Sequence, residues 1–549
     1  MASTLDAIDP VGVESGERAA AGTSAPRPPV GLSVVAVVIG LVFAAPLAYL
    51  VIRNITEQTD LLAELTSEAT LSPLGSSLWL AATVSITTSI IGTTLAWLLQ
   101  RCDLPGRGVL RVLAPLPLVF PSFVGAAALL STFGPGGMLD DLIGVSWAGR
   151  IEGYPAALFA LTLFTYPLVY LPVSARLRSL SPSLEESARL LGQRPGEVFR
   201  TIVLPQTVPA IRAGALLVFL YTLSDFGVVQ QVRYDTLTRV IYETRTFDSS
   251  RSFALALVLG VVALAVVVAE RAATRRVPAP DPQRVRGATR WSLGGWRWPA
   301  AAGVVAFMGA ALGGPVASLV WWSWKGTSQA ADPWGELTAQ LADLQQPTVN
   351  TAAVGVLGAA VAVAVVLPVA WLTTRYRGRV GSTSNALIVG GYALPGIAIA
   401  LALVFWSLGA GGATWLYQSF PVLIAGYVLH FGAQSMRASQ VAVAAVPRRV
   451  GEAASMLGAH RARRFVTVEL RVMLPGLLAG AGLVLLSIMK ELPVTLLLHP
   501  TGFETLATRI WPAIEGYYLA RAGIASLVLV GLSAVLTWLL VLRRSDALR

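Results

Sequence analysis

Long apolar stretches alternate with short, arginine-bearing polar connections along almost the whole chain. A helix crosses the hydrocarbon core of a bilayer with about 20 mostly apolar residues, since each adds about 1.5 Å. Such stretches lie near residues 28–52, 73–100, 112–139, 153–175, 208–230 and 252–270. A second set lies near 298–324, 349–374, 384–409, 415–436, 472–492 and 522–542. The uncharged run 380–436 is too long for one helix and is divided at the glycine-rich Gly409–Gly412. The pattern predicts an all-α polytopic membrane protein of about twelve transmembrane helices, six on either side of an Arg/Pro/Gly-rich linker at 271–297.

Composition agrees. Of 549 residues 55% are hydrophobic and 13% charged, about half the share typical of soluble domains, roughly 25%. The net charge is +11, with 41 basic residues of which only Lys325 and Lys490 are lysines. No DNA- or RNA-binding motif accompanies this charge, and nucleic acid is not an expected partner. The arginines cluster instead in alternate connections: Arg101, Arg107 and Arg111; Arg176 and Arg178; Arg271 to Arg290; Arg375 to Arg379; Arg448 to Arg464; Arg543 and Arg544. The opposite connections, such as 53–70 and 138–152, are acidic or balanced. This asymmetry predicts that both termini and the linker are cytoplasmic, in a cell (inner or plasma) membrane. Residues 1–27 are polar and acidic and read as a disordered cytoplasmic tail, not a signal peptide. The expected domains are that tail, a first half at 28–270, the linker, and a second half at 298–549. Equal numbers of spans give both halves the same orientation, a parallel repeat. Cys102 is the only cysteine, so no intramolecular disulfide can form.

A self-similar segment recurs at a constant offset of 266 residues. Glu186, Ala188, Leu191 and Gly192 align with Glu452, Ala454, Leu457 and Gly458; Phe199, Thr201 and Leu204 align with Phe465, Thr467 and Leu470. Pro209, Ala213 and Gly214 then align with Pro475, Ala479 and Gly480. Shared composition would give matching alanines and leucines, but not a glutamate, two glycines and a proline in register. From Leu184 to Leu191 the residues favour a helix, Gly192 ends it, and Pro195 opens a second one. The pair makes a compact knob whose Arg and Glu side chains suit a polar partner surface. A single such segment is equally an amphipathic loop lying on the membrane; two in register are not.

The segment resembles the cytoplasmic signature loop of binding-protein-dependent ABC importer permeases, E-A-A…G…I-x-L-P. The first copy, within loop 182–212, reads Glu186-Ser187-Ala188, Gly192, Ile202, Leu204 and Pro205. The second, within 447–475, reads Glu452-Ala453-Ala454, Gly458, Val468 and Leu470, with Arg471 in place of the proline. That departure is expected to change how the second loop leaves its docking helix. The resemblance implies the type I importer permease fold, two copies of a cytoplasmic ABC ATPase docked on the loops, and an extracytoplasmic substrate-binding protein. It also implies alternating access driven by ATP hydrolysed elsewhere. The lysines agree, since a phosphate-binding loop requires G-x-x-x-x-G-K-[ST], whereas Lys325 follows Trp324 and Lys490 follows Met489. The chain is expected to be a transport subunit without catalytic residues, cofactor or resident metal.

Ionisable groups inside a span are functional candidates by default. Asp225 aligns with Glu491, beside Lys490, each carboxylate about 24 Å along its helix from Pro209 or Pro475. These three are the translocation-pathway candidates; a structural charge at a helix end is the plainer alternative. Leu223-Ser224-Asp225-Phe226-Gly227, Lys490 to Leu498 and Gly502 to Trp511 resemble the fused permeases of ferric-iron importers. Carboxylate and phenolate oxygens suit a hard trivalent cation, and Tyr242-Glu243 on an expected external loop adds such groups, more naturally as binding-protein docking surface. His430, His460 and His499 show no metal-ligand spacing. Importers of thiamine, polyamines or phosphonate-type anions share this architecture. A major-facilitator-type carrier shares the six-plus-six layout but lacks paired signature loops.

Overall fold

The computed structural model describes residues 28–56, 61–134, 137–144, 152–180, 182–274, 291–376, 378–391, 394–409, 411–537 and 539. The expected tail 1–27, residues 275–290 of the linker and Arg543–Arg544 lie outside them. Among the described residues every regular element is helical, and the one further backbone pairing is a bridge between Cys102 and Trp291.

Ten of these helices are long and apolar enough to cross a membrane, and the bent pair Arg379–Gly391 and Gly396–Gly409 makes an eleventh candidate. The expected twelfth, Phe420–Ala444, has 25 residues, but His430, Gln434, Arg437 and Gln440 lower its apolar character. Two further expectations are corrected. The stretch 112–139 is not one helix: a helix ends at Leu113, a 3₁₀ turn spans Leu116–Val119, and a second helix runs Ser122–Phe133. Pro115, Pro117 and Pro121 supply no amide hydrogen and break the ladder there. The stretch 384–409 bends by 100° between Gly391 and Gly396, beside Pro395. The third span of each half is thus broken at the same level, since the aligned Ser122 and Gly396 begin the segments that follow the two breaks.

The first helix of each half packs on the other half. Val30–Thr56 lies against Arg379–Gly391 and Gln345–Arg375, and Gly314–Ser328 lies against Ser122–Phe133. Phe43 sits so close to Gly432 that a Cβ there would come within 2.1 Å of its ring. In the reciprocal place Phe307 meets Tyr166 edge-on at 5.0 Å. These crossed helices interlock the halves. The Asn54-Ile55-Thr56 triplet, a glycosylation match by sequence, ends the first of them, with Asn54 buried and donating to the Leu50 carbonyl at 2.8 Å.

Within each half the fifth helix, Leu204–Ser224 or Leu470–Met489, packs on the helix before it through an aligned glycine. A Cβ on Gly214 would lie 2.7 Å from Val169 Cα, and one on Gly480 would lie 2.4 Å from Ala438 Cβ. Small residues let membrane helices approach where lipid offers no hydrophobic drive for association. Gly303, by contrast, has nothing within 4 Å. Gly214→Leu and Gly480→Leu should each lower the melting temperature of the detergent-solubilised protein by several degrees, whereas Gly303→Leu leaves it unchanged. Nanoscale fluorimetry of the three variants checks this.

Candidate functional site

The two signature loops have one architecture. Helix Pro182–Leu190 is followed by Gly192 at φ +85°, then by a turn of helix at Pro195–Val198. In the second half Arg448–Met456 is followed by Gly458 at φ +81°, then by Arg461–Arg464. Both glycines occupy the left-handed region that disfavours side chains, and both close a helix end: Gln193 donates to the Ala188 carbonyl, Ala459 to that of Ala454. Glu186, Ser187, Glu452 and Ala453 are exposed, while Ala188 is buried under the knob and Ala454 half-buried.

The tips are not polar, as their Arg and Glu content suggested. Leu190 and Leu191 are 89% and 84% exposed, and Met456 and Leu457 90% and 88%. Large apolar side chains are thus left uncovered by this chain at paired positions of the two loops.

Each loop rejoins its long helix through a π turn, Phe199–Val203 or Phe465–Glu469. Ile202, Leu204, Val468 and Leu470 lie half-buried along this passage. Pro205 and Arg471 occupy the same second position of the helices that follow. The expected difference in how the second loop exits is therefore corrected: both loops pass through the same π turn into a continuous helix, whichever residue stands there. His460, exposed, accepts from the Arg463 amide at 3.4 Å.

The loops differ in what holds them. Arg101, at the end of helix Glu68–Arg101, forms a 2.9 Å ion pair with Glu185, both buried. The equivalent positions in the second half are Arg375, which donates to the Val443 and Val446 carbonyls at 3.2 and 2.7 Å, and Gly451. There a Cβ on Gly451 would meet Glu469 Oε1 at 3.1 Å, and that carboxylate pairs with Arg464 at 3.2 Å.

The pathway candidates converge where the fifth helices end beside the broken third spans. Asp225 terminates Leu204–Ser224, and its carboxylate accepts from the Val228 amide at 2.8 Å. The Ser122 side chain and the Val229 amide lie near it. Glu491 accepts from the Val494 amide at 3.2 Å in the aligned position and faces His430 Nε2 at 3.7 Å. A Cβ on Gly396, aligned with Ser122, would lie 2.7 Å from Glu491 Oε1. Lys490 reaches across the two halves to the Leu118 carbonyl at 2.6 Å. Both carboxylates thus cap the short helices Gly227–Gln231 and Pro493–Leu498, and they lie within electrostatic reach of one another. Among the described residues no three His, Cys, Asp or Glu side chains come together as a metal site.

Beyond these caps, helices Leu237–Thr244 and Leu506–Glu515 are pinned alike. The Leu237 amide donates to Ser77 Oγ at 2.9 Å, and the Leu506 amide to Thr351 Oγ1 at 2.8 Å. Tyr242, expected on a loop, lies on the first of these helices, and Glu243 pairs with Arg239 at 2.8 Å. Trp511 on the second helix crosses to the first half, with ring centroids 5.3 Å from Phe226 and 6.0 Å from Phe123. Phe226 in turn packs on Tyr242 at 4.6 Å.

A duplicated, interlocked helical body with two solvent-directed signature loops defines a membrane transport subunit of the type I permease fold. The family of binding-protein-dependent transport system inner membrane components matches residues 89–277 and again 366–545, and the chain belongs to that family. It is 30% identical over 532 residues, 94% of this chain and 98% of the relative, to the Fe(3+)-transport system permease protein FbpB 2 of Haemophilus influenzae. It is 34% identical over 163 residues, 29% of this chain and 68% of the relative, to the molybdenum transport system permease protein ModB of Escherichia coli K12. With the sulfate transport system permease protein CysT of Salmonella typhimurium it shares 33% over 156 residues, 27% of this chain and 54% of the relative. Membership of this family sets aside the major-facilitator alternative.

Ser77, Thr351 and Glu185 are not among the residues expected from the sequence, and Arg101, expected among the charges of a polar connection, is instead a buried ion-pair partner. A signal existed: at a second constant offset, 274, Pro73, Ser77, Trp97 and Arg101 align with Pro347, Thr351, Trp371 and Arg375. Breaking one partner of a buried ion pair strands the other charge, at a cost of about 3–5 kcal/mol, whereas replacing both with apolar residues costs far less. Arg101→Leu and Glu185→Leu should each sharply increase proteolysis of the first loop, and the double variant should recover most of the protection. Limited proteolysis of purified protein checks it.

Proposed function

We propose that this chain is the permease of an ATP-driven importer that takes ferric iron from an external binding protein, its two signature loops docking two copies of a separate ATPase. The observation that carries the reading is the duplicated knob: the same glycine-closed turn on both halves, each presenting exposed apolar residues flanked by Glu186 or Glu452. The loops and both termini lie on the cytoplasmic side, as the arginine asymmetry favours. ATP-driven closure of the ATPase pair moves the loops, and the interlocked halves rock about the level where the third spans are broken. Discontinuous helices near the middle of a membrane are where transporters handle their cargo.

Trp511, Phe226, Phe123 and Tyr242 close the outer end in the conformation described, and their separation opens the path to the binding protein. Asp225 and Glu491 act first as caps of broken helices and, when the halves part, offer carboxylates to the passing cation. Iron is favoured over other solutes because similarity to the Fe(3+)-transport relative spans 94% of the chain, whereas similarity to the molybdenum and sulfate relatives covers at most 43% of it.

Two experiments test this reading. Glu186→Arg combined with Glu452→Arg should abolish co-purification of the ATPase while membrane insertion is retained; unchanged co-purification would show that the loops do not dock it. For the cargo, the external binding protein that co-purifies with this permease should bind ferric iron tightly by titration calorimetry. Tight binding of molybdate or sulfate, with none of iron, would overturn the assignment.

A further inference from the structure

The second half does not begin at its first membrane helix. Residues Trp291 to Leu293, which precede helix Arg297–Met308, are bound to the first signature loop and the helix end beneath it. The Trp291 amide donates to the Arg101 carbonyl at 2.7 Å, and the Asp103 amide donates back to the Trp291 carbonyl at 3.2 Å. The Asp103 carboxylate accepts from the Leu293 amide at 2.8 Å and from the Ser292 hydroxyl at 3.2 Å. The Leu293 bond, foremost, holds the Asp103 carboxyl below the usual carboxylate range.

The Trp291 ring is clasped from two sides. It meets Trp97 edge-on at 5.3 Å, and Trp97 in turn packs on Phe199 in the π turn at 4.7 Å. The Arg189 guanidinium lies over its face at 4.6 Å. Arg189 stands one helical turn beyond Glu185, so helix Pro182–Leu190 is tethered twice: by Glu185 to Arg101, and by Arg189 to Trp291.

Among the described residues the second loop shows a different arrangement. Trp371, aligned with Trp97, meets Phe465 at 5.6 Å, and the position aligned with Arg189 is Ser455, which accepts from Arg464 at 2.7 Å within its own loop.

We infer that residues 291–293 form a strap that makes the first docking loop a joint product of both halves, with Trp291 as its positioning residue. Displacement of this loop by an ATPase is passed directly to the first helix of the second half; among the described residues the second loop has no aromatic or guanidinium tether of this kind to the first half. The strap is also a physical reason for a fused chain: covalent continuity delivers Trp291 at high effective concentration to a site where a few contacts would not hold a free peptide. The inference rests on the loops being ATPase docking sites.

The test uses the full chain with its ATPase in proteoliposomes. Leu191→Cys and Leu457→Cys place one reporter on each loop tip, and the native Cys102 is buried. Cross-linking of each reporter to the ATPase is measured with and without Trp291→Ala, Trp291→Phe and Asp103→Ala. Trp291→Ala should lower cross-linking from the first loop about threefold, the scale of one lost cation–π contact, and leave the second unchanged. Asp103→Ala should act in the same direction, and Trp291→Phe should restore most of the yield. Equal loss at both loops, or no loss at either, overturns the strap. Failure of both reporters to cross-link in otherwise unaltered protein instead overturns the docking reading. Should Trp291→Ala not insert, Asp103→Ala, a partly exposed site, decides the question alone.

Discussion

Backbone groups inside a bilayer have no water to bind, so every interruption of a membrane helix must be answered by a side chain or by another backbone group. In this protein that constraint decides where the charged residues stand. The fifth helix of each half stops inside the protein, and the amides of the short helix that follows need acceptors. Asp225 and Glu491 supply them at aligned positions, binding the Val228 and Val494 amides. One step outward the same demand is met by Ser77 and Thr351, which accept from the first amides of the two outer helices. A carboxylate at this depth therefore has a structural duty that does not depend on cargo, and any part in transport is added to it. Lys490 follows the same rule in reverse, giving its ammonium hydrogens to a carbonyl left open by the break in the third span.

The broken third spans, the capped fifth helices and the pinned helices beyond them recur in both halves with similar geometry, so the halves are one design used twice. The repeat departs from symmetry at the caps, where Lys490 and His430 have no counterparts, and again at the loop face. There the first half spends a buried ion pair and an aromatic clasp on its loop, while the second satisfies the same space with Glu469, Arg464 and two carbonyls. A two-fold ATPase pair would thus meet matched tips, Leu190–Leu191 and Met456–Leu457, on supports of different stiffness. On the proposed function, matched tips would serve recognition, and unmatched supports would affect how force passes inward.

Much of this was legible in the sequence because it follows from period and composition. Apolar lengths gave the helices, and the exact 266-residue offset gave the loops with their glycine turns. What was missed has physical reasons. Prolines 115, 117 and 121 break a span that hydropathy averages over, and the polar face of Phe420–Ala444 dilutes its apolar count. The departure at Arg471 drew attention because it breaks a motif, yet the helix start absorbs it without change. Glu185 drew none, although it stands beside the motif glutamate, because a buried acid and an exposed one look alike in a string. Only its partner 84 positions earlier, brought over by the packing of the second helix on the loop, separates them.

The strap changes what fusion of the halves means physically. Two separate permease subunits can exchange force only through their packed faces, and here those faces already interlock through the crossed first helices. A chain connection adds nothing to such packing if it is slack. It adds a directed coupling if its far end is anchored, and Trp291 is anchored by backbone pairing, ring packing and a guanidinium at once. The loop to which it is anchored is also the one tied to its own second helix by Arg101 and Glu185. A push on the first loop therefore has two rigid outlets, one in each half, while the tethers of the second loop among the described residues lie within its own half. The asymmetry of the fused permease is then a matter of where force can go, with the two docking surfaces themselves nearly the same.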